Sequence, residues 1–102
     1  MDAPRIHFDS SLRPTLGVEW EIALVDKTSL DLVNSAEEVM AGVTELAGAQ
    51  TPRVTKELLR NTVELVTGVC DNVGEAMDDL GESLELVRRA AHPLGIDLFS
   101  AG

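Results

Sequence analysis

The stretch TLGVEWEIALVD, residues 15 to 26, restricts the fold more than any other part of the chain. Over residues 15 to 25 the apolar side chains alternate. Leu16, Val18, Trp20, Ile22 and Leu24 fall on one face, and Gly17, Glu19, Glu21, Ala23 and Val25 on the other. A period of two residues defines a strand, because successive side chains leave opposite faces of the pleat. A strand with five large apolar residues on one face must cover that face with something. The other face poses a different problem, because it carries two carboxylates in an E-x-E pattern.

The surrounding chain offers the cover. Asp26 to Ser29 reads as a turn, and Leu30 to Val33 as a short returning strand. Ser35-Ala36-Glu37-Glu38 has the form of a capping box, in which the serine hydroxyl bonds the amide of Glu38 and the glutamate reaches back. Val39, Met40, Val43 and Leu46 follow at helical spacing and Gly48 suits the stop, so residues 36 to 47 are expected to be a helix. Residues 49 to 53 connect. The segment 54 to 69, VTKELLRNTVELVTGV, fits both a strand, through its β-branched residues, and a helical face through Leu58, Leu59, Thr62, Val63 and Val66. The strand is favoured, most firmly over 60 to 67. Residues 72 to 92 form an amphipathic helix, with apolar positions every three or four residues. Its acidic first half and basic end complement the helix dipole. Residues 96 to 102 begin as another strand. Residues 1 to 14, with two prolines and two arginines, read as an irregular lead-in to a single unit spanning 15 to 102. The order predicts an α+β fold: an antiparallel-leaning sheet with helices packed on one face.

Composition narrows the function. A chain of 102 residues suits one small domain, and 44% hydrophobic residues argue against disorder. A net charge of −10 argues against nucleic acid or an anionic membrane as partner, since both require a basic patch. The one cysteine, Cys70, gives no internal disulfide framework. No apolar run approaches the roughly 20 residues of a membrane span, and the N-terminus lacks the apolar core of a signal peptide. A cytoplasmic protein is the simplest expectation.

The acidic strand face is where chemistry is expected. Glu19 and Glu21 leave one face roughly 7 Å apart, from a rise of about 3.3 Å per residue. Hard divalent cations take oxygen ligands, and Mg²⁺ at phosphoryl-transfer sites takes a few carboxylates together with substrate phosphates. An E-x-E on its own is more often a solvated face. Here that face also carries Gly17, Ala23 and Val25, and a second acidic pair, Glu57 and Glu64, lies in another expected strand. Glu57 and Glu64 are seven residues apart, so on an unbroken strand they point to opposite faces; a bend, a bulge or a start after Glu57 is required. Cys70 reads as a structural cysteine, His7 and His92 as structural or surface residues, and Asp78-Asp79 as a solvated helix face. Arg60 suits either a phosphate contact or an ion pair.

Three segments in order, TLGVEWEIALVD, KELLRNTVELVTGVCDNVGEAMDDL and GIDLFSAG, resemble the N-terminal portion of the carboxylate–amine ligases, the type 2 glutamate–cysteine ligase family. The resemblance covers residues 15 to 102. It implies a glutamine-synthetase-like fold and an ATP- and Mg²⁺- (or Mn²⁺-) dependent enzyme. Such an enzyme phosphorylates the carboxylate of a glutamate-like substrate, and an amine such as that of cysteine attacks the acyl phosphate to give an amide. Carried over by position, it implies Glu19, Glu21, Glu57 and Glu64 as metal ligands. Ligases of this family are several times longer, so the resemblance implies a portion that is inactive alone. Its open sheet edge would favour association of copies. The rival reading is a small non-catalytic acidic domain that acts by association, its glutamates serving as surface charge.

Overall fold

A computed structural model describes residues 4–9, 15–56 and 59–100. Among the described residues, five strands, β1 (Arg5–Asp9), β2 (Thr15–Asp26), β3 (Val54–Lys56), β4 (Thr62–Val66) and β5 (Ile96–Ser100), form one antiparallel sheet. Two helices, α1 (Ala36–Ala47) and α2 (Val73–Ala91), pack against one of its faces, and a short 3₁₀ turn (His92–Leu94) leads into β5. This is the expected α+β architecture.

The 12-residue β2 is the hub. β4 pairs with residues 19 to 23 of β2. On the opposite edge β1 takes residues 15 to 19 and β5 takes residues 22 to 26. Backbone bridges from Cys70 to Leu16 and from Leu32 to Val25 extend the β4 side. β2 therefore has neighbours along both edges for nearly its whole length. The apolar face predicted for it is the buried one: Leu16, Val18, Ile22 and Leu24 join Val54, Val63, Leu65 and Ile96 from the other strands. From the helices they meet Val39, Val43, Ala76, Leu80 and Val87. Trp20 packs at the margin of this core, and its indole Nε1–H donates to Ser100 Oγ at 2.9 Å, which joins β2 to β5 at side-chain level. The helices approach closely: a Cβ on Gly42 would stand 2.9 Å from Cβ of Ala90, so α1 can lie this near α2 only without a side chain there.

Helix boundaries follow their local chemistry, with one exception. α1 spans the expected residues, and Gly48 closes it in the left-handed conformation at φ 80°. The capping box does not form: Ser35 makes no side-chain cap bond. Instead the Ala36 amide donates to the Arg60 carbonyl at 2.9 Å, so a tertiary contact satisfies a donor of the first turn. α2 is capped by Asn72, whose side chain accepts from the Glu75 amide at 2.8 Å.

Three stretches differ from expectation. Arg5–Asp9 is a strand rather than part of an irregular lead-in. The 54 to 69 segment is two short strands, β3 and β4, paired antiparallel, rather than one. Leu30 to Val33 contributes one bridge, not a strand. Here Asp26 organises the turn: its carboxylate accepts from the amides of Thr28 and Ser29, each at 2.8 Å, and Leu30 takes φ 65°.

The edge strand and the second helix are tied by charge. The Asp79 carboxylate accepts from the Arg53 guanidinium and, at 3.0 Å, from the Gly68 amide. Asp79 was expected on a solvated face, but its side chain is only 17% exposed because Arg53 and the chain after β4 fold over it. Lys56 Nζ donates to Glu37 Oε1 at 3.0 Å, which links β3 to α1.

Two predictions follow from these turns and edges. The amide bonds from Ser29 and Thr28 hold the Asp26 carboxyl below its ordinary value. A depressed folded-state pKa stabilises above the unfolded value, and that stabilisation is lost as pH falls through the folded value. Asp26→Asn keeps an acceptor but does not titrate. The urea midpoints of the two proteins should therefore differ near neutral pH and converge as acidification takes the Asp26 carboxyl through its lowered folded-state value, whereas a constant difference would count against the turn as an acid-sensitive element. Second, the Val18 amide donates to Thr67 Oγ1 at 2.9 Å, and the Thr67 amide returns a bond to the Val18 carbonyl at 3.0 Å. Thr67→Val leaves the Val18 donor unpaired and should cost about 1–3 kcal/mol in chemical denaturation.

Candidate metal face

The face of β2 turned away from the helices carries Glu19 and Glu21, on either side of the inward-turned Trp20. Register decides what stands beside them. Glu21 is paired with Glu64 of β4, and Glu19 with Val66. Glu64 faces Thr55 of β3 on its other side, and Arg5 of β1 faces Glu19. Directly opposed residues on antiparallel strands have Cβ atoms about 5 Å apart and project to the same side. The fold therefore brings Glu19, Glu21 and Glu64 onto one surface, two along a strand and the third across from it. Glu57 lies outside the described residues. The described residues on either side of it form two strands, β3 and β4, rather than one.

Like charges directly opposed on a sheet destabilise it unless a cation answers them. Among the described residues, Arg5 supplies such a cation. Arg5 Nη2 donates to Glu21 Oε1 at 3.2 Å and stands 4.0 Å from Glu19 Oε2. Both glutamates are about one-third exposed, at 38% for Glu19 and 33% for Glu21. The face is not evenly wet: Val25 and Thr62, which share it at the far end, are buried. It is a partly sheltered acidic surface on a rigid strand, and β2 is pinned along both edges behind it.

Among the described residues, no three His, Cys, Asp or Glu side chains converge closely enough to cage a metal ion. What the chain presents is an open carboxylate set. That fits Mg²⁺, which keeps several waters and binds through one or two carboxylates plus phosphate oxygens rather than in an all-protein cage. The donor set is all oxygen, and a cationic group already rests on two of its members.

Arg5 is the site residue that the sequence reading missed. Its signal was the alternation within RIHFD, where Ile6 and Phe8 interleave with polar residues. A five-residue run next to proline is too short to outweigh its irregular surroundings. The other residues weighed for function take structural places. Cys70 is buried, and its thiol donates to the Gly68 carbonyl at 3.3 Å. His92 Nδ1 lies 2.8 Å from Lys27 Nζ, remote in sequence from every glutamate of the face. Arg60 is exposed and contributes its carbonyl to α1. Among the described residues no helix is long and apolar enough to cross a membrane.

Comparison with known proteins places the chain among its relatives. A protein provisionally named glutamate–cysteine ligase 2-2 from Rhodococcus jostii is 67% identical over 97 residues, covering 95% of this chain and 26% of the relative. A similarly named protein from Nocardia farcinica is 57% identical over 98 residues, covering 95% of this chain and 26% of the relative. One from Mycolicibacterium vanbaalenii, provisionally named glutamate–cysteine ligase 2-1, is 57% identical over 98 residues, 96% of this chain and 24% of the relative. The chain thus spans about a quarter of the length of these relatives. The model of glutamate–cysteine ligase family 2 matches residues 15–102, which takes in β2, both helices and the three glutamates that share a face, and the chain belongs to that family.

Proposed function

We propose that this chain is the N-terminal part of an ATP-dependent carboxylate–amine ligase of the glutamate–cysteine type, and that Glu19, Glu21 and Glu64 hold its Mg²⁺ or Mn²⁺. The observation that carries this reading is the register Glu21↔Glu64, with Glu19 beside it on the same face, in a chain of this family. Glu57 is a fourth, weaker candidate.

Glu19, Glu21 and Glu64 would hold the divalent ion, whose chemistry would be to offset charge on a phosphoryl group transferred from ATP to the substrate carboxylate. The chain's own part is positional. β2 keeps Glu19 and Glu21 at fixed spacing because its backbone is bonded along both edges and Trp20 is tied to Ser100 behind them. β4 brings Glu64 opposite Glu21, so that the three carboxylates would offer oxygen donors from one face of the sheet. A glutamate-like carboxylate as acceptor and an amine such as cysteine as nucleophile belong to the same reading. So do a cytoplasmic setting and association of copies through open sheet edges.

Two results test it. In a ligase-length protein containing this chain, Glu21→Gln and Glu64→Gln should each weaken Mn²⁺ binding on the order of 10- to 100-fold, read from the free-Mn²⁺ signal in electron paramagnetic resonance. Unchanged titrations would remove these residues from the ligand set. The 102-residue chain by itself should release no ADP above background from ATP and Mg²⁺ with glutamate and cysteine present. Turnover by it would show that the catalytic machinery is complete without the remaining three-quarters of a relative's length.

A further inference from the structure

Two of the proposed metal ligands share a cation within the chain, and Arg5 supplies it. It sits on β1 opposite Glu19, on the face of the sheet that carries the glutamates. Its guanidinium donates to Glu21 Oε1 at 3.2 Å and stands 4.0 Å from Glu19 Oε2, so one cation spans two of the carboxylates assigned to the ion. The placement comes from strand pairing: β1 joins β2 only over residues 15 to 19, and Arg5 is the residue that this register sets beside Glu19. The side chain is 65% exposed. An ion pair that open to water is weak and easily exchanged. Nothing in the described structure buries the guanidinium against the sheet, so it can leave the carboxylates without breaking the core.

We propose that Arg5 is a resident counter-cation that competes with the divalent ion for Glu19 and Glu21. Without metal, its charge offsets the repulsion among carboxylates forced together by strand register. With metal, it gives up Glu21, and its positive charge, kept in the neighbourhood by the β1 register, sets the affinity lower than the carboxylates alone would allow. Arg5 is thus a positioning residue that tunes metal affinity, a role that rests on the metal-ligand reading above.

The sign of its effect is what distinguishes this role from a structural one. If Arg5 merely holds the glutamates in place, removing it disorders them and weakens metal binding. If it competes, removing it tightens binding. Mn²⁺ titration of a ligase-length protein containing this chain, followed by the free-ion signal in electron paramagnetic resonance, should show Arg5→Gln binding roughly fivefold more tightly than the wild type. Arg5→Lys keeps the charge and should stay within about twofold of the wild type. Far-UV circular dichroism of the three proteins checks that the sheet is retained. Equal or weaker binding by Arg5→Gln, alongside a Glu21→Gln variant that loses Mn²⁺, overturns the competition while leaving the ligand assignment standing. Absence of Mn²⁺ binding in the wild type and in Arg5→Gln alike overturns both.

Discussion

Two-sided pairing of β2 is the constraint on which the rest of the molecule depends. β4 occupies one edge, and β1 and β5 share the other in sequence, so a single 12-residue strand sets the register of three partners. Since side chains alternate with a period of two, a slip by one residue would turn Val18, Ile22 and Leu24 to solvent and bury Glu19 and Glu21 among aliphatic side chains. Burying ionised carboxylates without partners is expensive enough to forbid that alternative. The same alternation that builds the core therefore fixes where the acidic face lies.

That face carries a cost of its own. Glu21 and Glu64 are directly opposed with Glu19 close by, an arrangement that a sheet selected only for stability would avoid. Arg5 meets part of the cost, and partial exposure lets water screen more of it. Sites that gather like charge tend to trade stability for function in this way. The metal-binding role proposed for this face would draw on that same crowding of carboxylates, since a bound cation would relieve the repulsion. Membership of glutamate–cysteine ligase family 2 gives that chemistry a context.

Several features were legible from local sequence because local physics decides them. β2 shows a strict period of two over eleven residues, with large apolar side chains at every second position. α1 and α2 show a period near 3.6, and glycine or asparagine marks their ends. Glu19 and Glu21 were recognisable as a pair because their spacing is a property of one strand. Other features were not, because distant residues decide them. Ser35 has the sequence of a capping box, yet a carbonyl from Arg60 takes over the first-turn amide. Asp79 lies in an acidic run on an amphipathic helix, and only the fold brings Arg53 and Gly68 over it. The segment from 54 to 69 holds β-branched residues at both ends, and only the pairing of β4 with β2 on one side and β3 on the other shows that they form two strands.

By itself, the sequence determined which face of β2 enters the core, where the helices start and stop, and that two carboxylates project together from a rigid strand. Those outcomes depend on side-chain alternation, helical period and terminal residues, all of which act over a few neighbours. Only the tertiary structure decided that Glu64 stands opposite Glu21, that Arg5 reaches across to both β2 glutamates, and that Asp79 is covered. These depend on strand register and on the pairing of edges far apart in the chain. No window of sequence contains that information, because it arises when β1 and β4 dock on opposite sides of β2.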